Sequence, residues 1–239
     1  MKHYWRDLPG PVWFCGADIY RRFVESVVGR AVAVELGAWK GRSASCMGVE
    51  IANSGKAIQF STIDHWQGSR GEGAHDADPD LQAGLLYDVF LQNIRPVAEF
   101  VSVVRSDTAA AAGQFDDESV DFLYVDASHT YDGLLRDLFA WYPKVKTGGL
   151  IAGDDWCFSD RGELGVRHAV TDFFAPSLSC VQIEPGCPPN EGWLQWSVIK
   201  QPQLAVASPN ELKRARARRA VLRILTARRL RHRLRLLRW

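Results

Sequence analysis

The sequence predicts an α/β fold: a mostly parallel sheet of seven strands with helices on both faces, followed by a basic helical tail. Three observations predict it. Five short apolar runs alternate with stretches of helical periodicity, and that alternation implies a parallel sheet covered on both sides. Each of those five runs finishes in acid, at Glu35, Asp64, Asp107, Asp126 and the pair Asp154/Asp155. Finally, residues 211–239 hold twelve Lys/Arg against one Glu, a composition unlike the rest of the chain.

The elements follow in order. Residues 17–28 (ADIYRRFVESVV) place Ile19, Phe23 and Val27 on one helical face. Ala31–Val34 has strand length, with Gly37 and Gly41 behind it. Ser43–Ala52 reads as a helix whose start Ser43 can cap and beyond whose end Gly55 sits. Ala57–Ile63 is the second strand, stopped by Asp64. Residues 65–80 (HWQGSRGEGAHDADPD) are a polar, Gly-rich loop of a length used for lids and binding loops or left disordered. LLYDVFLQNI is helical, and Phe100–Val104 is the third strand, leading into Arg105, Ser106 and Asp107. TAAAAGQF makes a short helix and Val120–Val125 the fourth strand. YDGLLRDLFAWYPKV is a helix with Leu134, Leu135, Leu138 and Trp141 on one face. Gly149–Ala152 is the fifth strand and VRHAVTDFFA a further helix. Two strand-like runs, Cys180–Ile183 and Leu194–Ile199, close the globule near Lys200. The expected division is a domain over 1–202, with an N-terminal helical segment to residue 30 and a lid at 65–80, and a tail over 203–239.

Composition narrows the class. With 46% hydrophobic and 24% charged residues an ordinary core forms and global disorder is excluded. No apolar run approaches the length of about 18–20 residues that spans a bilayer, and MKHYWRDLPG lacks a signal-peptide core. Five cysteines (Cys15, Cys46, Cys157, Cys180, Cys187) with no CxxC pair argue for reduced thiols, a cytoplasmic setting and no zinc site. Cys180 and Cys187 are the pair that oxidation would join. The net charge of +1 conceals an acidic globule, with 27 acidic against 17 basic residues outside 211–239.

Acids at all five strand ends exceed what turn and cap preferences supply, and ligands in such sheets bind beyond those ends. In VAVELGAWKGRSA a strand, an acid, a glycine turn and a helix follow one another. Gly37 allows close backbone approach, and the helix start offers free N–H groups. The turn fits neither GxGxxG nor a P-loop, since only Gly37 and Gly41 are present and no GK[ST] follows. Glu35 would repel a pyrophosphate and suits a cationic or hydroxyl-rich ligand. The alternative for these acids is that they only form turns in some other α/β protein.

Here the chain resembles the class I S-adenosylmethionine-dependent methyltransferases. Their fold implies a Rossmann-like sheet with a final antiparallel strand. The resemblance implies that Glu35, Gly37 and Ser43 lie at the methionine part of the cofactor, that Asp64 holds the ribose hydroxyls, and that Ser106 and Asp107 border the adenine. A carboxylate accepting from a vicinal diol is chemically apt. Over residues 31–199 the stretches ELGAWKGRSA, IDHWQGS, VDFLYVDASHTYDGLLRDLFAWYPKVKTGGLIAGDDW and GWLQWSVIK are similar to a bacterial group near the metal-dependent macrolide-sugar O-methyltransferases, and more distantly to catechol O-methyltransferase. That likeness implies Mg²⁺ held by Asp126, Asp154 and Asp155. Parallel strands about 4.8 Å apart bring these carboxylates together, and three close carboxylates repel unless protons or a cation intervene. The plainer reading makes them turn and cap residues.

His129, three residues past Asp126, is the candidate general base; it can equally pack against substrate or cofactor, and Asp126 can itself take the proton. Tyr131 is expected to pack at the helix start. Trp66 and Trp156 could flank the mouth, although core packing is the commoner fate of Trp. His65, His75 and the acids of 65–80 could close over the acceptor, and His168 reads as structural. No [DN]PP[YFW] follows the fourth strand, where the chain reads DASH, so oxygen is the favoured acceptor atom.

Three functional readings compete. The first is Mg-assisted methylation of a hydroxyl on a sugar, glycan precursor or small natural product. The second is a nucleic-acid methyltransferase or binding protein using the tail, which the acidic globule disfavours. The third is a cofactor-binding module without catalysis. In the tail Val221, Leu225, Leu230, Leu234 and Leu237 form an approximate stripe among arginines. Residues 211–239 therefore suit the inner face of a membrane or a contact within a homo-oligomer.

Overall fold

A computed structural model describes residues 1–69, 72–158, 164–186 and 193–220. Its sheet is built from β1 (Arg30–Leu36), β2 (Ala57–Asp64), β3 (Ser102–Arg105), β4 (Val120–Val125), β5 (Val145–Gly153), β6 (Gln182–Glu184) and β7 (Gln195–Ile199). The order is β3-β2-β1-β4-β5-β7-β6, and β7 runs antiparallel to both its neighbours. The sheet thus has the expected seven strands, with one running against the rest. Its switch point lies between β1 and β4, where successive connections turn to opposite sides and leave a crevice at the strand ends.

Side chains of alternate parity build two cores. Ala33, Phe60, Phe122, Tyr124 and Ala152 face α1 (Ala17–Ser26), α2 (Arg42–Ser54) and the later helix Leu86–Ile94. Val34, Leu36, Ile63, Leu123, Val125 and Ile151 face the helices that follow β3, β4 and β5. This period of two, buried on both sides, is why the strands read as continuous apolar runs. The loop after β2 holds two short helices, α3 (Gly73–Asp76) and α4 (Pro79–Gln82), before α5 (Leu86–Ile94). α6 (Thr108–Ala111), α7 (Tyr131–Trp141) and α8 (Gly165–Phe173) complete the layer on the other face.

Several boundaries differ from expectation for identifiable reasons. The helix after β4 stops at Trp141, because Pro143 cannot donate a helical N–H, and a 3-10 turn Tyr142–Lys144 follows. β5 consequently starts at Val145. Phe100 ends a 3-10 turn opened by Arg95 and Pro96, so β3 begins two residues late. α2 is capped by Gly41 at φ 82°, with Ser43 buried inside its first turn; the expectation that Ser43 caps the helix is corrected. Gly55 closes that helix in the left-handed region, as its sequence position suggested.

Cys46, Cys157 and Cys180 are free thiols, whereas Cys15 is disulfide-bonded, which corrects the expectation of reduced thiols throughout. Cys187 lies outside the described residues. Among the described residues no helix is long and apolar enough to cross a membrane.

The tail does not begin as a separate unit. Leu204, Ala207 and Leu212 are buried in the second core, and residues 209–220 form a helix. The stripe expected at Val221, Leu225, Leu230, Leu234 and Leu237 lies outside the described residues.

Candidate active site

β1 ends against both neighbours: Gly37 N–H donates to Ile63 O at 2.8 Å, and Asp126 N–H donates to Leu36 O at 2.8 Å. Gly37 has φ 86°, and a Cβ there would lie 2.0 Å from the Asp126 carbonyl oxygen. Glycine is therefore required to let the turn after β1 touch the loop after β4, in addition to any ligand approach. This contact joins the two halves of the site.

On the cofactor side, Glu35 is fully buried. Its oxygens accept from Tyr20 Oη at 2.7 Å and Thr62 Oγ1 at 2.5 Å, and Ser43 also donates to it. Burial pushes its carboxyl up to about 7 against the pull of these hydroxyls. Asp64 caps the glycine turn: Oδ2 accepts from Ala38 N–H at 2.8 Å and Trp39 N–H at 3.1 Å, while Oδ1 accepts from Trp66 N–H at 2.7 Å. Oδ2 thus has both lone pairs occupied, and only Oδ1 keeps one for a ribose hydroxyl. Ser106 donates its N–H to Asp64 O at 2.9 Å. Asp107 caps α6 through Ala110 N–H at 3.0 Å and pairs with Arg136 at 2.9 Å. Although partial burial opposes it, these donors hold the Asp107 carboxyl below its usual range.

On the acceptor side, β4 and β5 run in register to Val125 and Gly153, so Asp126 and Asp154 leave the sheet level with each other. They do not share a site. Asp154 turns into the protein, accepting from Asp155 N–H at 2.9 Å and Tyr124 Oη at 3.4 Å, with Cys15 N–H adding a further bond. Burial, then Asp155, raises its carboxyl to about 7. Asp155 adopts φ 62°, and its side chain goes the other way. The potential ligand atoms that converge, all within 4.8 Å of one another, belong to Asp126, His129 and Asp155. Of the expected metal set, Asp126 and Asp155 come together, and the third group beside them is His129; the Asp154 side chain faces the protein interior.

His129 is held on both ring nitrogens. Nε2 lies 2.8 Å from Asp155 Oδ2 and 3.8 Å from Asp126 Oδ1, and Nδ1 lies 3.1 Å from Glu72 Oε2. Burial alone would lower its pKa, but Asp155, Asp126 and Glu72 together raise it well above the usual value. Asp126 is raised as well, by burial first and then by the Asp154 and Asp155 charges. These carboxylates favour the protonated form of His129. To serve as general base it must first lose that proton.

Glu72, one of the acids of the 65–80 loop, reaches the site from the residue before α3; nothing in its GEG context distinguishes it in sequence. The same loop is tied down where Lys40 pairs with Asp78 at 2.7 Å and Asp80 at 2.6 Å. His75 stacks on Trp39 at 4.2 Å, and Trp13 packs against both, 5.7 Å from Trp39 and 5.5 Å from His75. Trp66 and Trp156 are both buried in the cores and do not line the mouth. His65 is largely exposed, and His168 sits on α8. Tyr131 opens α7 and donates to Asp172 at 3.0 Å.

The strand order, with its single antiparallel strand and its crevice at the switch point, is that of the class I methyltransferase fold. The family described as a methyltransferase domain matches residues 34–156, and the chain belongs to it. A Sinorhizobium fredii protein, uncharacterized protein y4gI, is 26% identical over 129 residues, which make up 54% of this chain and 13% of that much longer protein. Among solved structures, the O-methyltransferase NovP superposes with a TM-score of 0.57 at 19% identity, covering 77% of this chain and 79% of its own. CalS11, a TDP-rhamnose 3′-O-methyltransferase of calicheamicin biosynthesis, gives 0.50 at 18%, covering 83% and 81%. A putative rRNA-methylase from Clostridium thermocellum gives 0.51 at 9%, covering 79% and 97%. At these identities the likeness is one of fold.

Proposed function

We propose that the chain transfers the methyl group of S-adenosylmethionine to a hydroxyl of a sugar, glycan precursor or related small natural product, with a divalent cation assisting. The observation that carries this reading is the convergence of Asp126, His129 and Asp155 directly beside the Gly37 turn. A charged cluster at that position supports an acceptor site next to the cofactor crevice. The names of NovP and CalS11 support an oxygen acceptor, and that of CalS11 supports a sugar.

Two carboxylates and one imidazole fit a divalent cation once His129 is neutral. The nitrogen donor makes Mn²⁺ as apt as Mg²⁺. Such an ion would lower the pKa of an acceptor hydroxyl. Asp126, Asp155 and His129 would hold it, and Glu72 would orient the imidazole through Nδ1. With His129 on the ion, the oxygen of Asp126 left free takes the hydroxyl proton; His129 serves as base only without the ion, once neutral. Glu35, Asp64 and the α2 start fix the cofactor's polar groups. The nucleic-acid reading is weakened by Arg216 and Arg219, two tail cations already committed to carboxylates of the same chain.

The test is transfer of labelled methyl groups to a panel of sugar nucleotides and phenols, with Mg²⁺, Mn²⁺ or EDTA. Labelled hydroxyl products, at least about tenfold fewer in EDTA, are expected. Labelling of RNA but of no small hydroxyl would overturn the acceptor, and no binding of S-adenosylmethionine in calorimetry would overturn the whole reading.

A further inference from the structure

We propose that the C-terminal helix over residues 209–220 is a strut that positions the acceptor loop. It fixes the first turn of α7, and with it His129, through Asp132 directly and through Asp172 to Tyr131. The proposal rests on the methyltransferase reading for its catalytic consequence, although the mechanical linkage is testable without it.

Leu212, Arg216 and Arg219 lie at i, i+4 and i+7, one face of a helix. Leu212 is buried in the second core. The segment before it is also fastened: Ala207 N–H donates to Phe173 O at 2.7 Å, and Tyr142 Oη donates to Leu204 O at 3.0 Å. The helix is thus laid across α7 and α8 by its own apolar contacts, and its two arginines meet defined partners.

Those partners converge on two consecutive residues, Tyr131 and Asp132, which open α7 just after His129 and the capping Thr130. Arg216 grips Asp132 as a fork, with both N–H···O distances at 2.8 Å. Arg219 makes a second fork to Asp172, Nε at 3.0 Å and Nη2 at 2.5 Å, and reaches Thr171 Oγ1 at 3.2 Å. Tyr131 Oη donates to the same Asp172 carboxylate at 3.0 Å. Planar two-point contacts of this kind fix orientation as well as distance. α8 presses on the same loop, because a Cβ on Gly165 would come within 2.2 Å of His129 O. Pulling α7 and α8 against one helix therefore holds the backbone of His129 from both sides.

The two forks differ in weight. Side chains of the Arg216–Asp132 pair are 65% and 62% exposed, so solvent screens it and it contributes little. In the other pair Asp172 is only 11% exposed, so Arg219 dominates. Arg219 is a positioning residue in these terms: it touches neither cofactor nor acceptor.

The experiment compares full-length wild type with Arg219→Ala, Arg219→Lys and Tyr131→Phe. Hydrogen exchange, kcat on the best acceptor and calorimetric affinity for S-adenosylmethionine are measured. For Arg219→Ala, exchange at residues 126–132 should rise and kcat should fall about tenfold, the effect of a slight misplacement of catalytic groups, with cofactor affinity unchanged. Lysine, with one point contact, should restore part of both. Tyr131→Phe should loosen 126–132 while leaving 209–220 protected. The strut is overturned if Arg219→Ala loosens only 209–220 with kcat intact, or if Tyr131→Phe is silent at 126–132. Should Arg219→Ala fail to fold, Tyr131→Phe decides alone. A wild type that methylates nothing would refute the functional reading, and the exchange data would still judge the strut.

Discussion

The acids that end β1, β2 and β3 and those that end β4 and β5 look alike in sequence and have opposite fates. Glu35, Asp64 and Asp107 are satisfied by groups of the protein itself: hydroxyls for the first, backbone N–H groups for the second, a cap and an arginine for the third. Asp126 and Asp155 meet each other across a single imidazole. The polar groups of the first half are satisfied from within the protein. The second is a concentration of acidic groups gathered around one imidazole, with no other cation among the described residues in contact with them. Preorganisation serves cofactor binding, and incomplete compensation serves chemistry.

The sharpest way to break this contrast is to remove the second half. Asp155→Ala and Asp126→Ala should each lower methyl transfer by about 10²-fold or more, the scale of a lost group in the reacting shell, with cofactor affinity within about threefold of wild type. Steady-state rates and calorimetry check it. A comparable loss of cofactor binding would show that the halves are not separable. The complementary change, Asp64→Ala, frees the N–H groups of Ala38, Trp39 and Trp66 and removes a ribose acceptor. Cofactor affinity should fall about tenfold while kcat at saturation stays near wild type.

Much of the first half was legible because its signals are local. A strand, an acid and a glycine in sequence specify Glu35 and Gly37, and β2 ends where Asp64 stands. The acceptor half was legible only as residue types. Nothing local tells that Asp155 would take a left-handed backbone and part company with Asp154, so the sequence grouped three aspartates where the fold brings together two of them and His129. Glu72 was hidden for a different reason: its partner is 57 residues away, and its loop carries several equivalent acids. The tail was read from charge as an element for a membrane surface or an oligomer contact. Charge could not reveal that Leu212 would be buried and that Arg216 and Arg219 would find Asp132 and Asp172. Trp66 and Trp156 followed the commoner fate of their kind.

A third kind of buried acid sharpens the contrast, because it belongs to neither half. Asp137 on α7 accepts from Thr108 Oγ1 at 2.7 Å, but its Oδ2 has no partner among the described residues, and burial raises its carboxyl to about 6. The group is favoured as the neutral acid in the fold. Its contribution is therefore complete below the unfolded pKa near 3.8 and is lost as pH rises through about 6. Asp137→Asn should raise stability at pH 8 by about 2 kcal/mol and flatten the stability profile between pH 4 and 6, with methyl transfer unchanged. Denaturant melts across that range decide it. A variant less stable at pH 8 would mean that the carboxylate has a partner in solution.

The smallest effect falls on the acid whose role is least settled by geometry. Asp107 was expected at the adenine, yet its carboxylate caps α6 and pairs with an Arg136 that is more than half exposed. The cap should account for nearly all of its value, because the exposed pair is screened. Asp107→Ala should cost about 1 kcal/mol, which in a chain of this size lowers Tm by roughly 2–4 °C. Asp107→Asn keeps a good cap and should restore that stability, which isolates any part played by the charge. If both variants bind S-adenosylmethionine like the wild type, the third strand end is scaffold and the cradle consists of two acids. If the asparagine variant is stable but loses affinity, Asp107 touches the cofactor, and the cradle extends along all three strands as the sequence suggested.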